Sequence, residues 1–143
     1  MAQTRFYGEF RHILDPKFRM FLPATMRDKL AGDIVLTRGI DCCVAVYPME
    51  AWEVYTAKLD RLEEINARKI VRYIYSSATE TQLDAQGRVF VPESLRTYAC
   101  LEKNIVVVGA GNHVEIWNES KWNDESDRMR EEDIAETLLQ LGF

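Results

Sequence analysis

Hydrophobic and polar residues alternate in short runs that are typical of β-strands, and the first such pattern lies near the start of the chain. Residues 12–15 and 19–23 alternate in this way on either side of the turn-like segment Pro16-Lys17-Phe18. Two alternating runs around a short polar turn predict a β-hairpin. The arrangement returns later around Ala85-Gln86-Gly87, where glycine can adopt the positive φ that short turns often require. The pattern therefore predicts two hairpins of similar design.

The two predicted hairpins belong to a longer internal repeat. The segments ILDPKFRMFLPATMR, beginning at Ile13, and QLDAQGRVFVPESLR, beginning at Gln82, share identical residues at a constant offset of 69 positions. The matched pairs are Leu14 and Leu83, Asp15 and Asp84, Arg19 and Arg88, Phe21 and Phe90, Pro23 and Pro92, and Arg27 and Arg96. Two copies of one supersecondary unit are the simplest explanation, although two copies are too few for a solenoid.

Each copy continues with the same predicted elements. A proline ends the second strand, and a short helix follows over residues 24–30 in the first copy and residues 93–99 in the second. A β-branched strand, a turn and a last strand ending at Tyr47 or Trp117 complete the copy. The sequence thus predicts about four strands and one short helix per copy, which is an α+β fold.

Segments outside the two copies show the 3.6-residue period of amphipathic helices. They predict helices over residues 51–62 and 66–77 that pack on the strands, and a charged C-terminal helix with Ile134, Leu138 and Leu141 on its apolar edge. We therefore divide the chain into four parts. These are a first half-repeat (1–49), connecting helices (50–79), a second half-repeat (80–118) and an acidic C-terminal helix or tail (119–143).

Composition argues against several classes of protein. A length of 143 residues with 47% hydrophobic content is enough for a buried core, and the longest apolar runs are far shorter than the roughly 20 residues of a membrane helix. The first ten residues lack the apolar block of a signal peptide, so we expect a cytoplasmic protein without membrane association. Three cysteines and two histidines form no ligand-like cluster, which predicts reduced thiols, no metal site and no cofactor.

The net charge of −5 is unevenly distributed along the chain. Residues 1–30 carry six basic and three acidic side chains, whereas residues 119–143 carry three basic and eight acidic ones. The excess of acid in the tail alone equals the net charge, so the N-terminal part can still present a positive surface. Net charge therefore neither supports nor excludes binding to nucleic acid.

The motif Asp-x-x-x-Arg spans each predicted turn. The carboxylate of Asp15 or Asp84 can accept hydrogen bonds from backbone N–H groups of its own turn, and it can pair with Arg19 or Arg88 at the start of the next strand. Such a pair fixes both the shape of the turn and the direction of the arginine. In an arbitrary sequence this pattern is more often structural than functional.

The first turn adds a basic residue at its tip. Lys17 lies there beside Arg19, and a cationic β-ribbon of this kind can enter the major groove, where Lys or Arg donates to the O6 and N7 acceptors of guanine. The second turn keeps Arg88 but carries the neutral Gln86 at the tip. DNA contact by the second turn is therefore the weaker prediction.

Other candidate residues favour structural roles. The three tryptophans recur at matching repeat positions or on apolar stripes, so they are predicted to anchor the core rather than to stack on bases. His113 beside Glu115 gives little basis for acid–base chemistry, and Cys42 and Cys43 give equally little for a nucleophile.

In combination these segments resemble the MraZ family of bacterial transcriptional regulators. The resemblance spans nearly the whole chain through FYGEF at Phe6, FLPATMR at Phe21, VLTRGID at Val35, YPMEAW at Tyr47, SSATETQLDAQGRVFVPESLR at Ser76 and VVGAGNHVEIWNESKW at Val107. It implies an AbrB-like fold, in which two tandem half-repeats interlock as a swapped-hairpin β-barrel with helices packed around it.

The resemblance also implies a function. Proteins of this family form homo-oligomeric rings of eight or more subunits that bind short G-rich direct repeats in double-stranded DNA. The repeats lie in their own promoter, upstream of the division and cell-wall gene cluster, and binding represses it. The resemblance thus implies a nucleoid-associated, non-enzymatic protein without a small-molecule substrate. Lys17 and Arg19 inherit the DNA contact and Arg88 a weaker version of it, while Asp15 and Asp84 inherit support of the turns.

This chain departs from the family pattern in its first turn. Phe18 stands where glycine is expected, and it is preceded two positions earlier by Pro16. Because a phenylalanine at positive φ is strained, we expect the first turn to have a different shape from the second. Two alternatives remain open at this stage: an oligomeric scaffold that has lost its DNA-reading surface, and an enzyme that uses dispersed carboxylates.

Overall fold

The computed structural model describes residues 4–63 and 65–143, and these contain eight β-strands, six α-helices and one short 3₁₀ helix. The first repeat comprises β1 (Glu9–Ile13), β2 (Arg19–Phe21), α1 (Ala24–Arg27), the 3₁₀ helix (Asp28–Leu30), β3 (Ile34–Arg38) and β4 (Val44–Pro48). After α2 (Met49–Asp60) and α3 (Ala67–Tyr75), the second repeat comprises β5 (Thr79–Thr81), β6 (Arg88–Phe90), α4 (Glu93–Tyr98), β7 (Asn104–Gly109) and β8 (Val114–Asn118). The C-terminal helices are α5 (Glu119–Glu131) and α6 (Ile134–Gln140). The prediction of an α+β fold with two tandem repeats is confirmed.

The strands form one six-stranded antiparallel sheet and one separate ribbon. The order in the sheet is β1-β7-β8-β4-β3-β5, and β2 pairs with β6 in the ribbon. Four of the six pairings join the two repeats, namely β1 with β7, β3 with β5, β4 with β8 and β2 with β6. Exchanging the repeats reproduces the same set of pairings. The chain is therefore built around a pseudo-twofold axis that relates the first repeat to the second.

The two predicted local hairpins are wrong as strand pairings. β1 pairs with β7 and not with β2, β5 pairs with β3 and not with β6, and β2 and β6 pair with each other. The turn between β1 and β2 does close, because the N–H of Asp15 donates to the carbonyl of Arg19 at 2.9 Å. Alternation along a strand determines which face is buried, but it does not determine which strand lies beside it. In this fold the other repeat supplies the partner strand.

The main core lies between the six-stranded sheet and the β2–β6 ribbon. Met20 and Val89 face each other across the ribbon and are fully buried against the sheet. The sheet contributes an inward row of aliphatic side chains, which are Ile34, Leu36, Val44, Val46, Ile105, Val107, Val114 and Ile116. Because this row comes from both repeats, burying it holds the two halves together.

Helices cover the outer face of the sheet. Trp52 of α2 and Ile74 of α3 are buried against Val35 and Tyr47, and Trp122 of α5 is buried against Trp117. The prediction that the tryptophans anchor the core is confirmed, as is the packing of both connecting helices on the sheet.

The C-terminal tail contains two helices rather than the single one predicted. Asp133 begins α6, and its Oδ1 accepts a hydrogen bond from the N–H of Glu136 at 2.9 Å. This aspartate cap explains why a new helix begins here. The predicted apolar edge of Ile134, Leu138 and Leu141 is exposed in the single chain.

Candidate nucleic-acid interface

The carboxylate of Asp15 organises the first turn. Its Oδ1 accepts hydrogen bonds from the backbone N–H of Lys17 at 2.8 Å and of Arg19 at 2.9 Å, and its Oδ2 accepts one from the Nε of Arg19 at 3.3 Å. The N–H of Phe18 also donates to the Asp15 carbonyl at 2.9 Å. The hydrogen bond from the Arg19 backbone is the main reason that the pKa of Asp15 lies below its usual value. The turn is therefore held by an ionised carboxylate at neutral pH.

The second turn repeats these bonds one for one. Oδ1 of Asp84 accepts from the backbone N–H of Gln86 and of Arg88, both at 2.9 Å, and Oδ2 accepts from the Nε of Arg88 at 2.8 Å. The N–H of Gly87 donates to the Asp84 carbonyl at 2.9 Å. The pKa of Asp84 is likewise lowered, first by the backbone hydrogen bond from Arg88. Asp84 thus organises the second turn through the same bonds that Asp15 makes in the first.

The expectation that the first turn is shaped differently is wrong. Phe18 adopts φ 64° and Gly87 adopts φ 79°, so both turns place their fourth residue in the left-handed region. For a phenylalanine this costs roughly 1 kcal/mol. The guanidinium of Arg96 lies 3.6 Å from the centre of the Phe18 ring, which offsets part of that cost through a cation–π contact. Contact with the second repeat thus holds Phe18 in a conformation that the sequence rule disfavours.

The second turn receives the equivalent arginine of the first repeat. A Cβ atom on Gly87 would lie 2.7 Å from Cδ of Arg27, so glycine leaves the space that this arginine occupies. Arg27 Nε donates to the carbonyl of Leu22 at 2.7 Å. Arg96, its counterpart, instead uses Nη1 to reach the carbonyl of Val91 at 2.6 Å. Each repeat therefore contributes an arginine that lies against the turn of the other repeat, Arg27 beside Gly87 and Arg96 beside Phe18.

The outer face of the ribbon combines arginine and phenylalanine. In the antiparallel register Arg19 lies opposite Phe90, and Phe21 lies opposite Arg88. Phe21 and Phe90 are 43% and 50% exposed, although their neighbours Met20 and Val89 are buried. Because each turn directly precedes its strand, the two turns lie at opposite ends of this face. The result is an exposed cationic and aromatic surface with pseudo-twofold symmetry.

Comparison with known proteins also finds two copies of one unit in this chain. The family described as "MraZ protein, putative antitoxin-like" matches this chain twice, over residues 6–73 and 74–141. A protein of Ligilactobacillus salivarius named transcriptional regulator MraZ is 44% identical, with 96% of this chain and 99% of that protein covered. Proteins of the same name from Natranaerobius thermophilus and Pediococcus pentosaceus are 43% and 41% identical at the same coverage. This chain belongs to the MraZ family.

Within this MraZ chain, Lys17 is the most accessible of the predicted DNA-contacting residues. Its side chain is exposed and makes no hydrogen bond or ion pair within residues 4–63 and 65–143. The side chains of Arg19 and Arg88 are 32% and 19% exposed. Each guanidinium donates a hydrogen bond to its aspartate through Nε, and within the described residues its Nη groups donate none. Such a bond orients a guanidinium while its Nη groups remain available. The structure thus places Lys17 and Arg19 together at one end of the ribbon and Arg88 at the other.

Sequence reasoning missed the role of Arg27 and Arg96. Both had been matched in the repeat, and that register was the available signal. The contact of each arginine with the turn of the other repeat could not be predicted, since it depends on strand pairing between the repeats. The exposure of Phe21 and Phe90 was also not predicted. The sequence shows only that they are hydrophobic, whereas their position in the β2–β6 ribbon places them on its outer face.

The remaining candidates form structural contacts in this MraZ chain. Glu115 accepts hydrogen bonds from His113 Nε2 at 3.1 Å and Trp117 Nε1 at 3.0 Å, and the His113 ring stacks on Tyr47 with centroids 4.9 Å apart. Burial raises the pKa of Glu115, but the bonds from His113 and Trp117 outweigh burial and leave it lowered. Burial raises the pKa of the Cys43 thiol, which disfavours the nucleophilic thiolate.

The described residues contain neither a metal-binding cluster nor a helix that could span a membrane. Within residues 4–63 and 65–143, no group of His, Cys, Asp and Glu side chains has the arrangement of a metal site. No helix in the same part of the chain has the length and apolar character needed to cross a membrane.

Proposed function

We propose that this chain is a transcriptional regulator that binds double-stranded DNA in a sequence-specific manner and has no catalytic activity. Proteins more than 40% identical over nearly their whole length are named transcriptional regulators, which supports the regulatory role. The observation that carries the DNA-binding proposal is the pair of matched turns at opposite ends of one exposed ribbon. A two-stranded β-ribbon is one of the elements that the major groove of DNA can admit.

In this proposal Lys17 and Arg19 read guanine at the first turn. Lys17 donates its ammonium protons to O6 or N7, and Arg19 offers the Nη groups that its bond to Asp15 leaves unused. Arg88 makes a weaker contact at the second turn, since it is less exposed and has no lysine beside it. Asp15 and Asp84 hold the turns in the binding geometry and do not contact the bases.

The interleaved strands support a swapped-hairpin barrel of the AbrB-like type. Four of six pairings exchange strands between repeats, and the β2–β6 ribbon lies across the core from the six-stranded sheet. We propose that the barrels assemble as a homo-oligomeric ring of eight or more subunits. Each subunit offers few base-contacting side chains, so a ring that binds several DNA repeats at once would gain affinity through effective concentration.

The proposed operator is a set of short G-rich direct repeats in the promoter of the chain's own gene, upstream of the division and cell-wall gene cluster, and the proposed effect is repression. The working location is the cytoplasm, in association with the nucleoid. The partners are DNA and further copies of the chain, without a membrane, a cofactor or a small-molecule substrate. The acidic C-terminal helices would point away from the duplex, because like charges repel.

The test compares binding of the parent and Arg19→Ala to a duplex of its own promoter at several salt concentrations. For the parent we expect affinity that falls steeply with salt and exceeds affinity for random duplex. Arg19→Ala should lose the specific part of binding and keep its oligomeric mass. Arg130→Ala removes the same charge from the exposed surface of α5 and should bind like the parent. Equal specific binding by Arg19→Ala and the parent would refute the role of Arg19, whereas a parent without any preference would favour an oligomeric scaffold.

A further inference from the structure

The two turns share one backbone but carry different residues at their tips. Lys17 and Gln86 occupy the same place in the repeat, two residues after the aspartate. Their N–H groups donate to the aspartate Oδ1 at 2.8 Å and 2.9 Å, and the next residue has positive φ in both turns. Since the backbone is the same, the two side chains leave it in equivalent directions.

Gln86 is free to make an external contact. Its side chain is exposed, and within residues 4–63 and 65–143 Gln86 makes only the hydrogen bond from its backbone N–H to Asp84. The turn around it is fixed on both sides, by the Asp84 carboxylate and by Arg27 against Gly87. A flexible amide on a rigid tip is a suitable arrangement for recognition, because the backbone contributes no further ordering cost.

The chemistry of the two tips selects different bases. A lysine only donates and matches the O6 and N7 acceptors of guanine, whereas a glutamine amide both donates and accepts and matches N6 and N7 of adenine. The tips also lie at opposite ends of the antiparallel ribbon, so they address different base pairs. Identical tips related by a twofold axis would suit a palindrome, but these two tips suit a site with direction.

We propose that Gln86 is a second base-reading residue, which selects adenine at the position that the pseudo-twofold axis relates to the guanine read by Lys17. This inference rests on the proposed function, because it requires that both turns face DNA. It also gives the second turn a role of its own, beyond a weakened copy of the first.

The experiment substitutes every base pair of the promoter duplex in turn and measures affinity for the parent, Gln86→Ala and Gln86→Lys. In the parent, one A·T pair should be preferred over its replacements by about 5- to 150-fold. Gln86→Ala should lose this preference while keeping the preferences at other positions, and its salt dependence should equal that of the parent because no charge changes. Gln86→Lys should shift the preference at that position to guanine and steepen the slope of log affinity against log salt by about 1.

Lys17→Ala is the matched control at the other tip. It should abolish a guanine preference at a different position and make the salt dependence shallower by about 1. Unfolding midpoint and oligomeric mass should match the parent in all three variants, since neither tip side chain makes a bond within the described residues.

Three outcomes separate the ideas. Base preferences that Gln86→Ala leaves unchanged at every position would overturn the inference while leaving the proposed function intact. A uniform loss of affinity across all sequences would assign Gln86 to the phosphate backbone and would also overturn it. A parent that shows no base preference at all would defeat the proposed function itself.

Discussion

The first and second turns reach one backbone shape by different routes. Gly87 adopts its positive φ without steric cost, and the arginine from the other repeat lies directly against it. Phe18 adopts nearly the same φ at a cost, but its ring supports the guanidinium of Arg96. The comparison teaches that a disfavoured backbone conformation can be maintained by a contact from a distant part of the chain when the surrounding hydrogen bonds already define the turn.

The largest loss of stability should come from replacing Gly87 with a residue that has no aromatic ring. Gly87→Val places a β-branched side chain at φ 79° and displaces Arg27 from its bond to Leu22, so we expect a loss of about 2 to 3 kcal/mol in the free energy of unfolding. Urea denaturation measures it.

The informative control is the larger side chain. Gly87→Phe should cost less than Gly87→Val, because Arg27 can move outward and stack on the ring as Arg96 does on Phe18. If Gly87→Phe lowered the free energy of unfolding as much as Gly87→Val, the stacking seen at the first turn could not be reproduced at the second.

A smaller effect is expected from removing the arginine that braces the first turn. Arg96→Ala loses the contact with Phe18 and the bond to Val91, so about 1 kcal/mol of stability should be lost. The same substitution in a Phe18→Gly background should cost less, since no ring remains to be stacked. Denaturation of the four chains gives this coupling energy, and strictly additive costs would show that the stacked contact contributes nothing.

The smallest effect concerns acid. Both aspartates have a lowered pKa in the folded chain, so each contributes stability that is complete above the unfolded value of about 3.9 and is lost as the pH falls through the lower folded value. An Asp15→Asn and Asp84→Asn double variant should therefore lose less stability than the parent between about pH 5 and about pH 3. Asp124→Asn, which changes an exposed carboxylate on α5, should follow the parent curve. Parallel curves for the parent and the double variant would contradict the proposed support of the turns by ionised carboxylates.

Much of the local structure could be predicted from the sequence. Identical residues at a fixed offset indicate the repeat, and the Asp-x-x-x-Arg spacing indicates both turns. The bonds of Asp15 and Asp84 are local, within four residues of the acid, which is why residue types alone could indicate them.

Contacts between the repeats could not be predicted in the same way. The partner of β2 is β6, and the residue that accommodates Phe18 is Arg96, which is far along the chain. A rule on φ considers one residue and its neighbours. It therefore indicates the strain of a positive φ at Phe18, but not the Arg96 guanidinium that stacks on the Phe18 ring. The difference between Lys17 and Gln86 is visible in the sequence, but only the structure shows that the two residues make the same backbone hydrogen bond in their turns.

The exchange of arginines between the halves bears on whether the chain can be divided. Cleavage in the connection between α2 and α3 would give two fragments, and each would keep its turn but lose the arginine that lies against it. Each fragment would also expose strands whose neighbours belong to the other. We therefore expect neither fragment to fold on its own, and a single-copy chain of this design would need a second copy to complete it.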